Sequence, residues 1–195
     1  EISNYYTLKP GTTSYHKTWA WVNNKEKIGA VIRFTTTAVK PDVPKLNITS
    51  DSKDIGIGDA PSFYWNDVDN ADYYKMYLYN EQNELVQESD VITGKKYAFG
   101  AVDKEGQYTA YIEAYNEIGS KGKSEGVTFN VHPDVTAKFV DADSFVDAGE
   151  GYVPEVLNEQ KVHYGKAANK PADPEHKGYT FSKWEGNYSS VKEDT

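Results

Sequence analysis

The sequence predicts an all-β fold built around a β-sandwich, and three observations lead to this prediction. Apolar and polar residues alternate with a period of two over several short stretches, as they do along half-buried strands. Clusters rich in Asn, Asp and Gly separate these stretches at short intervals. Aromatic residues make up 14% of the chain, with 16 Tyr against one Met, which suits pleated sheets better than helices.

The clearest alternation lies in the middle of the chain, in "PSFYWN", "DYYKMYLYN" and "QYTAYIEAYN". The residues that share the predicted inward side are Phe63, Trp65, Tyr74, Met76, Leu78, Tyr108, Ala110, Ile112 and Ala114. A last strand is predicted for "EGVTFNV". We expect these strands to form two packed sheets with the shared side in the core.

Two proline-bearing stretches divide the chain into three predicted segments, 1–38, 39–133 and 134–195. "KPDVPK" at 40–45 and "HPD" at 132–134 are interpreted as linkers, because proline cannot donate to a sheet ladder and favours extended chain. Short linkers of this kind hold their neighbours end to end, so an elongated rod is expected.

The middle segment carries a set of residues with family-specific spacing. They are Pro44 and Leu46 at the entry, Trp65, "ADYYKMYLY", and "GQYTAYIEAYNEIGS" followed by "VTFNV". With these residues, 39–133 resembles a fibronectin type III domain of the kind found in bacterial secreted proteins. The resemblance implies an immunoglobulin-like sandwich with Trp65 between the sheets and the Tyr108 hydroxyl bonded to nearby backbone. Many functions use this fold, so the resemblance indicates no activity.

A looser copy of the end of this sandwich occurs near the start of the chain, in "YHKTWAWVNNKEKIGAVIRFTTT" at 15–37. Asn23 follows Tyr15 at the same spacing as Asn116 follows Tyr108. Residues 1–38 are therefore interpreted as the C-terminal strands of a preceding fibronectin type III-like domain. The alternative is a short separate β-unit that packs on the middle domain.

The third segment, 134–195, has a different pattern, "YGKAANKPADPEHKGYTFSKW". Its matching residues are Val162, Tyr164, Gly165, Ala168, Pro171, Pro174, Gly178, Tyr179, Phe181 and Trp184. With them it resembles the Listeria–Bacteroides repeat of the internalin B type, which implies a small β-grasp-like unit on a Gram-positive surface. The family's last strand would follow the final "KEDT", and the chain starts without Met, so we expect a fragment of a longer protein.

Composition excludes several classes of partner and site. The net charge of −9 disfavours nucleic acids and anionic lipids, because both are polyanions. The apolar runs are too short for membrane insertion. The absence of Cys excludes disulfides, thiolate metal sites and Cys nucleophiles, but it does not fix the compartment.

No catalytic pattern is present, so the sequence predicts a protein that is not an enzyme. The four His residues are widely spaced and form no pair at metal-ligand spacing. Neither a nucleophile elbow, a zinc-protease motif, a phosphate loop nor a dinucleotide fingerprint occurs. Paired carboxylates are common in an acidic chain and do not by themselves indicate a glycosidase.

One acidic cluster, "VDADSFVDAGE", is a candidate calcium site through Asp141, Asp143, Asp147 and Glu150. Calcium takes six to eight oxygen ligands, and closely spaced carboxylates on a loop supply several of them. The spacing is not that of an EF-hand, and a solvated acidic loop is the alternative interpretation. No other cofactor is predicted.

The outward side of two central strands carries a row of tyrosines that are candidate ligand-binding residues. They are Tyr73, Tyr77, Tyr79, Tyr111 and Tyr115. If the two strands pair, the rings form a continuous ladder of the kind that grips sugars or partner proteins. The alternative is that cross-strand pairs simply stabilise the sheet and that adjoining chain partly covers them.

The sequence therefore favours a non-catalytic spacer or docking segment of an adhesion-type bacterial protein, on the cell surface or secreted. Its expected partners are neighbouring domains of the same chain. The second hypothesis is a carbohydrate-binding or accessory module of an extracellular carbohydrate-active enzyme. That module would bind host or plant glycans or cell-wall polymers through the tyrosines or through Trp19 and Trp21.

Overall fold

The computed structural model of the chain describes residues 10–141 and 155–195, and its regular structure is β apart from one short 3-10 turn at Ser50–Ser52. The strands in chain order are β1 Thr13–Val22, β2 Lys25–Thr35, β3 Leu46–Ile48, β4 Asp54–Gly56, β5 Ser62–Trp65, β6 Tyr73–Asn80, β7 Leu85–Glu88, β8 Lys96–Ala98, β9 Gly106–Tyr115, β10 Val127–His132, β11 Val135–Val140 and β12 Val156–Val162. The predicted all-β class is confirmed.

Strands β3 to β10 form two sheets of a sandwich. The smaller sheet has the order β3-β5-β8, and the larger one has the order β4-β10-β9-β6-β7. All neighbouring strands are antiparallel except β4 and β10, which run parallel. This arrangement confirms the predicted fibronectin type III or immunoglobulin-like sandwich.

The core between the two sheets includes every residue predicted to point inward, together with further side chains from the other strands and loops. Trp65 is only 2% exposed, and its ring centroid lies 5.4 Å from that of Tyr74 on the opposite sheet. Phe63 contacts Phe99 and Phe129 edge-on. The other buried members are Leu46, Ile55, Met76, Leu78, Val102, Tyr108, Ala110, Ile112, Ala114 and Val131. Period-two alternation thus identified the core side of the central strands.

Tyr108 closes one end of this core. Its hydroxyl donates a 3.0 Å hydrogen bond to the backbone oxygen of Lys104, and its ring stacks on Phe129 with centroids 5.6 Å apart. The corner role that the family resemblance implied for Tyr108 is confirmed. The phenol satisfies its polar end at the loop while its ring stays in the core.

The first segment folds as a hairpin of β1 and β2 that buries little of its side-chain surface. Asn23 and Asn24 both have positive φ angles, 52° and 57°, and form the two-residue turn. In contrast, β9 and β10 are joined by the longer loop 116–126. The two similar sequences therefore differ at the turn. The assignment of 1–38 to a preceding sandwich stays a prediction.

The third segment pairs β11 with β12 over a small core. Its buried residues are Val135, Ala137, Phe139, Val162, Ala168 and Val191. Residues 163–195, all of which are described, contain no further strand. Backbone hydrogen bonds hold this irregular chain in place instead, for example the 2.7 Å bond from the N–H of Gly165 to the carbonyl oxygen of Val191. The β-grasp-like repeat stays a prediction.

The first linker, residues 40–45, has no regular secondary structure and packs against the sandwich. Pro41 and Pro44 are buried. The side-chain amide of Asn116 donates to the backbone oxygens of Val39, at 2.7 Å, and Asn70, at 3.0 Å. Asn116 therefore joins the residue just before the linker to a loop of the sandwich.

Candidate functional site

The five predicted ring residues lie together on the outer side of the larger sheet, and we call this surface the tyrosine face. Tyr73, Tyr77 and Tyr79 come from β6, and Tyr111 and Tyr115 come from β9. The antiparallel register sets Tyr73 opposite Tyr115 and Tyr77 opposite Tyr111. Their neighbours along each strand point into the core, so the alternation that fills the core also builds this face.

The rings contact one another in pairs across the two strands. Tyr73 and Tyr115 stack with centroids 5.2 Å apart and planes only 5° from parallel. Tyr79 and Tyr111 meet edge to face with centroids 5.6 Å apart. All five side chains are half-buried. Four of the five rings thus meet in cross-strand pairs of the kind that stabilise a sheet, and Tyr77 lies opposite Tyr111 in the register.

The hydroxyl groups at one end of the face donate hydrogen bonds to other groups of the protein. Tyr115 donates to Oε2 of Glu113 at 2.7 Å, and the hydroxyl of Ser120 donates to the other oxygen of Glu113 at 3.2 Å. Because a phenol has one proton, the 3.2 Å contact between the hydroxyls of Tyr77 and Tyr115 has Tyr77 as its donor. Both donor protons are therefore committed to a chain that ends on Glu113.

The same contacts keep these phenols neutral. Burial, followed by the hydrogen bond with Tyr115, raises the pKa of Tyr77. Burial also raises the pKa of Tyr115, and the carboxylate of Glu113 adds to the rise. An unperturbed tyrosine already titrates near 10, so neither phenol ionises at physiological pH. Neither Tyr77 nor Tyr115 is therefore available as a base.

Lys123, from the loop between β9 and β10, lies across the other end of the face. Its Nζ lies 4.4 Å from the ring centroid of Tyr77 and 4.6 Å from that of Tyr79. It also donates to the Tyr79 hydroxyl at 2.5 Å. A cation above these ring faces occupies the position that a stacked ligand would need.

The backbone of the same loop adds to this cover. A Cβ atom at Gly126 would lie 2.6 Å from Cγ2 of Thr109 and 3.1 Å from the ring of Tyr111, so only a glycine permits the close approach. The expectation that adjoining chain partly covers the rings is confirmed. Lys123 could not be identified from the sequence, because no periodicity places a residue within an irregular loop.

The calcium hypothesis falls largely on residues that the structure does not describe. Asp143, Asp147 and Glu150 lie outside the described ranges. Asp141 is described and buried, and one of its carboxylate oxygens lies 2.6 Å from Nε2 of His176. Within 10–141 and 155–195, no group of three acidic, His or Cys side chains is arranged to hold a metal ion. The calcium site stays a prediction.

A cavity of about 690 Å³ lies beside β11, away from the tyrosine face. Asp141 and His176 line it, with the aromatic side chains of Phe139, Phe181 and Trp184. The indole N–H of Trp184 donates outside this aromatic group, to Asp173 at 3.1 Å. None of the predicted ligand-binding tyrosines lines this cavity.

No family model matches the chain, and no curated protein matches it. The chicken CNTN1 FN1–FN3 domains are 12% identical over 65% of this chain, with a TM-score of 0.42, and the chain spans 45% of that structure. FN3tt is 20% identical over 49% of this chain and 96% of its own, with a TM-score of 0.36.

Domains d3–d4 of the rat CD45 extracellular region are 15% identical over 67% of this chain and 69% of their own, with a TM-score of 0.42. In the described residues, no helix is long and apolar enough to cross a membrane. Sheet order, the buried Trp65 and the Tyr108 corner identify the middle of the chain as a β-sandwich of the fibronectin type III or immunoglobulin-like kind.

Proposed function

We propose that this chain is a non-catalytic spacer and docking segment of a large bacterial protein, secreted or on the cell surface. The observation that carries the proposal is the internal use of the tyrosine face. Tyr77 and Tyr115 direct their donor protons toward Glu113, and Lys123 covers the rings of Tyr77 and Tyr79. A surface satisfied by its own chain stabilises a sheet and leaves little for a ligand to bind.

Contacts at the two ends of the sandwich support the docking part of the proposal. At one end, Asn116 binds the backbone of Val39 next to the linker, whose Pro41 and Pro44 are buried. At the other, His163 of the third segment reaches Asp59 of the sandwich, with Nε2 3.0 Å from Oδ2. The contact of His163 with Asp59 joins successive units, which suits a segment whose partners are neighbouring domains of the same chain.

The proposal includes the assignment of the flanking segments. Residues 1–38 belong to the end of a second sandwich, and 134–195 to a Listeria–Bacteroides-type repeat. The exposed apolar side chains of β1 and β2 support the first assignment, because a two-stranded hairpin alone is marginally stable in water. Surface repeats of this type would place the parent protein outside the cell.

Small-angle scattering tests the spacer proposal directly. A compact globule of this length has a radius of gyration of about 16 Å by the usual scaling with chain length. Units joined end to end give a clearly larger radius and a skewed distance distribution with an extended tail. A radius near the compact value, with a symmetric distribution, contradicts the rod.

A carbohydrate-binding role is the second candidate, and one observation favours it. Trp19 and Trp21 share one side of β1 and are 64% and 66% exposed. Exposed indoles on a common strand face are suited to stacking on sugar rings. A glycan array with the unmodified chain and with Trp19→Ala/Trp21→Ala tests this role. Binding that the double variant loses would support an accessory module, while no binding to any glycan would reject it.

A further inference from the structure

His163 lies between two carboxylates at the junction of the sandwich and the third segment. It follows the end of β12, and its Nε2 is 3.0 Å from Oδ2 of Asp59, in the turn after β4. Its Nδ1 is 3.3 Å from Oδ1 of Asp134, between β10 and β11. Asp59 also accepts a 3.0 Å hydrogen bond from the backbone N–H of Gly56, which fixes the carboxylate within the sandwich.

The sandwich backbone leaves room for the imidazole ring at one position, Gly56. A Cβ atom there would lie 2.4 Å from Cε1 of His163, far inside van der Waals contact. Beside it, the rings of His132 and Tyr164 stack with centroids 4.1 Å apart and planes 12° from parallel. The junction therefore consists of one ring stack and one histidine held by two acids.

The number of protons on His163 decides how many of these acids it can bind. Neutral imidazole has one N–H, so it donates to Asp59 or to Asp134, and the other carboxylate then faces a nitrogen lone pair. The imidazolium has an N–H on both nitrogens and donates to both. We propose that His163 is a proton-operated latch that fixes the third segment against the sandwich when charged and loosens the junction when neutral.

The surroundings of His163 favour the charged form. The hydrogen bond to Asp59 is the largest influence and raises the pKa of His163, with a smaller contribution from Asp134. Burial is the largest single influence on the Asp59 carboxyl and would raise its pKa. The hydrogen bonds from His163 and from the backbone N–H of Gly56 together outweigh burial, so the pKa of Asp59 is lowered. The other charged or titratable groups around the junction are Lys166, His132, Asp54, Lys192 and Tyr164.

The direction of the pH response follows from these shifts. Because the pKa of His163 is raised, its charged form stabilises the closed junction. This stabilisation is fully present below the unfolded-state pKa of about 6.5 and is lost as pH rises through the folded-state pKa. A lowered Asp59 pKa gives a contribution that is lost as pH falls through its folded value, below about 4. The latch is therefore closed at mildly acidic pH and loosens toward alkaline pH.

Residual dipolar couplings of the full chain, measured at pH 6.0 and pH 9.0, test the latch. One alignment tensor should fit both the sandwich and the β11–β12 hairpin at pH 6.0, and separate tensors should be needed at pH 9.0. The midpoint of this change should coincide with the titration of the His163 ring protons, above the ordinary value of about 6.5. A single tensor at both pH values, or a His163 midpoint at or below 6.5, overturns the proposal.

Two variants separate His163 from its neighbours. His163→Gln cannot titrate, so it should need separate tensors at both pH values. A wild-type pH profile in this variant means that another group causes the effect, and it rejects the latch. Gly56→Ala retains every titratable group but places a methyl group against the ring. It should also need separate tensors at both pH values, with the sandwich couplings unchanged, and wild-type behaviour would contradict the close approach.

Discussion

Replacing Trp65 with Ala should remove the largest side chain of the sandwich core and destabilise that domain by about 3–5 kcal/mol. The estimate follows from burial. Trp65 is 2% exposed and packs against Tyr74 across the two sheets, so truncation loses its transfer free energy and leaves a cavity. Since small domains are stable by about 5–15 kcal/mol, this loss is a large fraction of the total.

Trp65→Phe is the matched control. The indole nitrogen of Trp65 is buried and has no hydrogen-bond partner among the described residues. An unsatisfied buried donor costs about 1–3 kcal/mol, so Phe loses some volume but also removes this penalty. We expect Trp65→Phe to be destabilised much less than Trp65→Ala, and by less than its lost area alone would indicate.

Native-state hydrogen exchange at the amides of Met76 and Ile112 measures the effect on the sandwich alone. These amides lie in the two central strands and donate to the hydroxyls of Ser89, at 2.8 Å, and Ser124, at 3.1 Å. Their exchange reports global opening of the domain. If Trp65→Ala leaves both exchange rates unchanged, Trp65 does not lie in the core and the strand alignment is wrong.

Three further outcomes are expected from urea unfolding. Tyr108→Phe loses the bond to the backbone oxygen of Lys104 and should cost about 0.5–1.5 kcal/mol, whereas an unchanged midpoint would reject the corner. Lys123→Ala removes the cation from the tyrosine rings and should cost about 0.5–1 kcal/mol, with no loss indicating that the contact is unimportant. The hydrogen bond from His132 is the main cause of the lowered pKa of Asp54. The Asp54 carboxylate therefore stabilises the folded state above about pH 4, and this stabilisation should disappear as pH falls through the folded-state pKa. Asp54→Asn should reduce the fall of the urea midpoint at acidic pH.

The central strands could be predicted from sequence because burial there is periodic. Phe63 and Trp65 share one side of β5, and the tyrosine face is the opposite side of strands whose inner residues fill the core. The same period placed the five tyrosines on one outward side, although which rings meet across β6 and β9 depends on the strand register. Local alternation carries this information without any knowledge of the rest of the chain.

Loops and long-range contacts could not be predicted in this way. Asn23 and Asn116 occupy equivalent places in two similar sequences, yet Asn23 forms a two-residue turn and Asn116 begins a longer loop that holds the linker. His163 and Asp59 are 104 positions apart, and no repeat or spacing connects them. Their contact depends on how two folded units meet, which is a property of tertiary packing.

Polysaccharide titration tests most directly whether the tyrosine face is closed to ligands. The unmodified chain and a Tyr77→Ala/Tyr111→Ala variant should be titrated with plant, host and cell-wall polysaccharides, with folding of the variant checked by hydrogen exchange at Ile112. Because the hydroxyl protons of Tyr77 and Tyr115 are used within the chain and Lys123 lies over the rings of Tyr77 and Tyr79, we predict no saturable binding by either protein. Saturable binding by the unmodified chain that the folded double variant loses would contradict the spacer account.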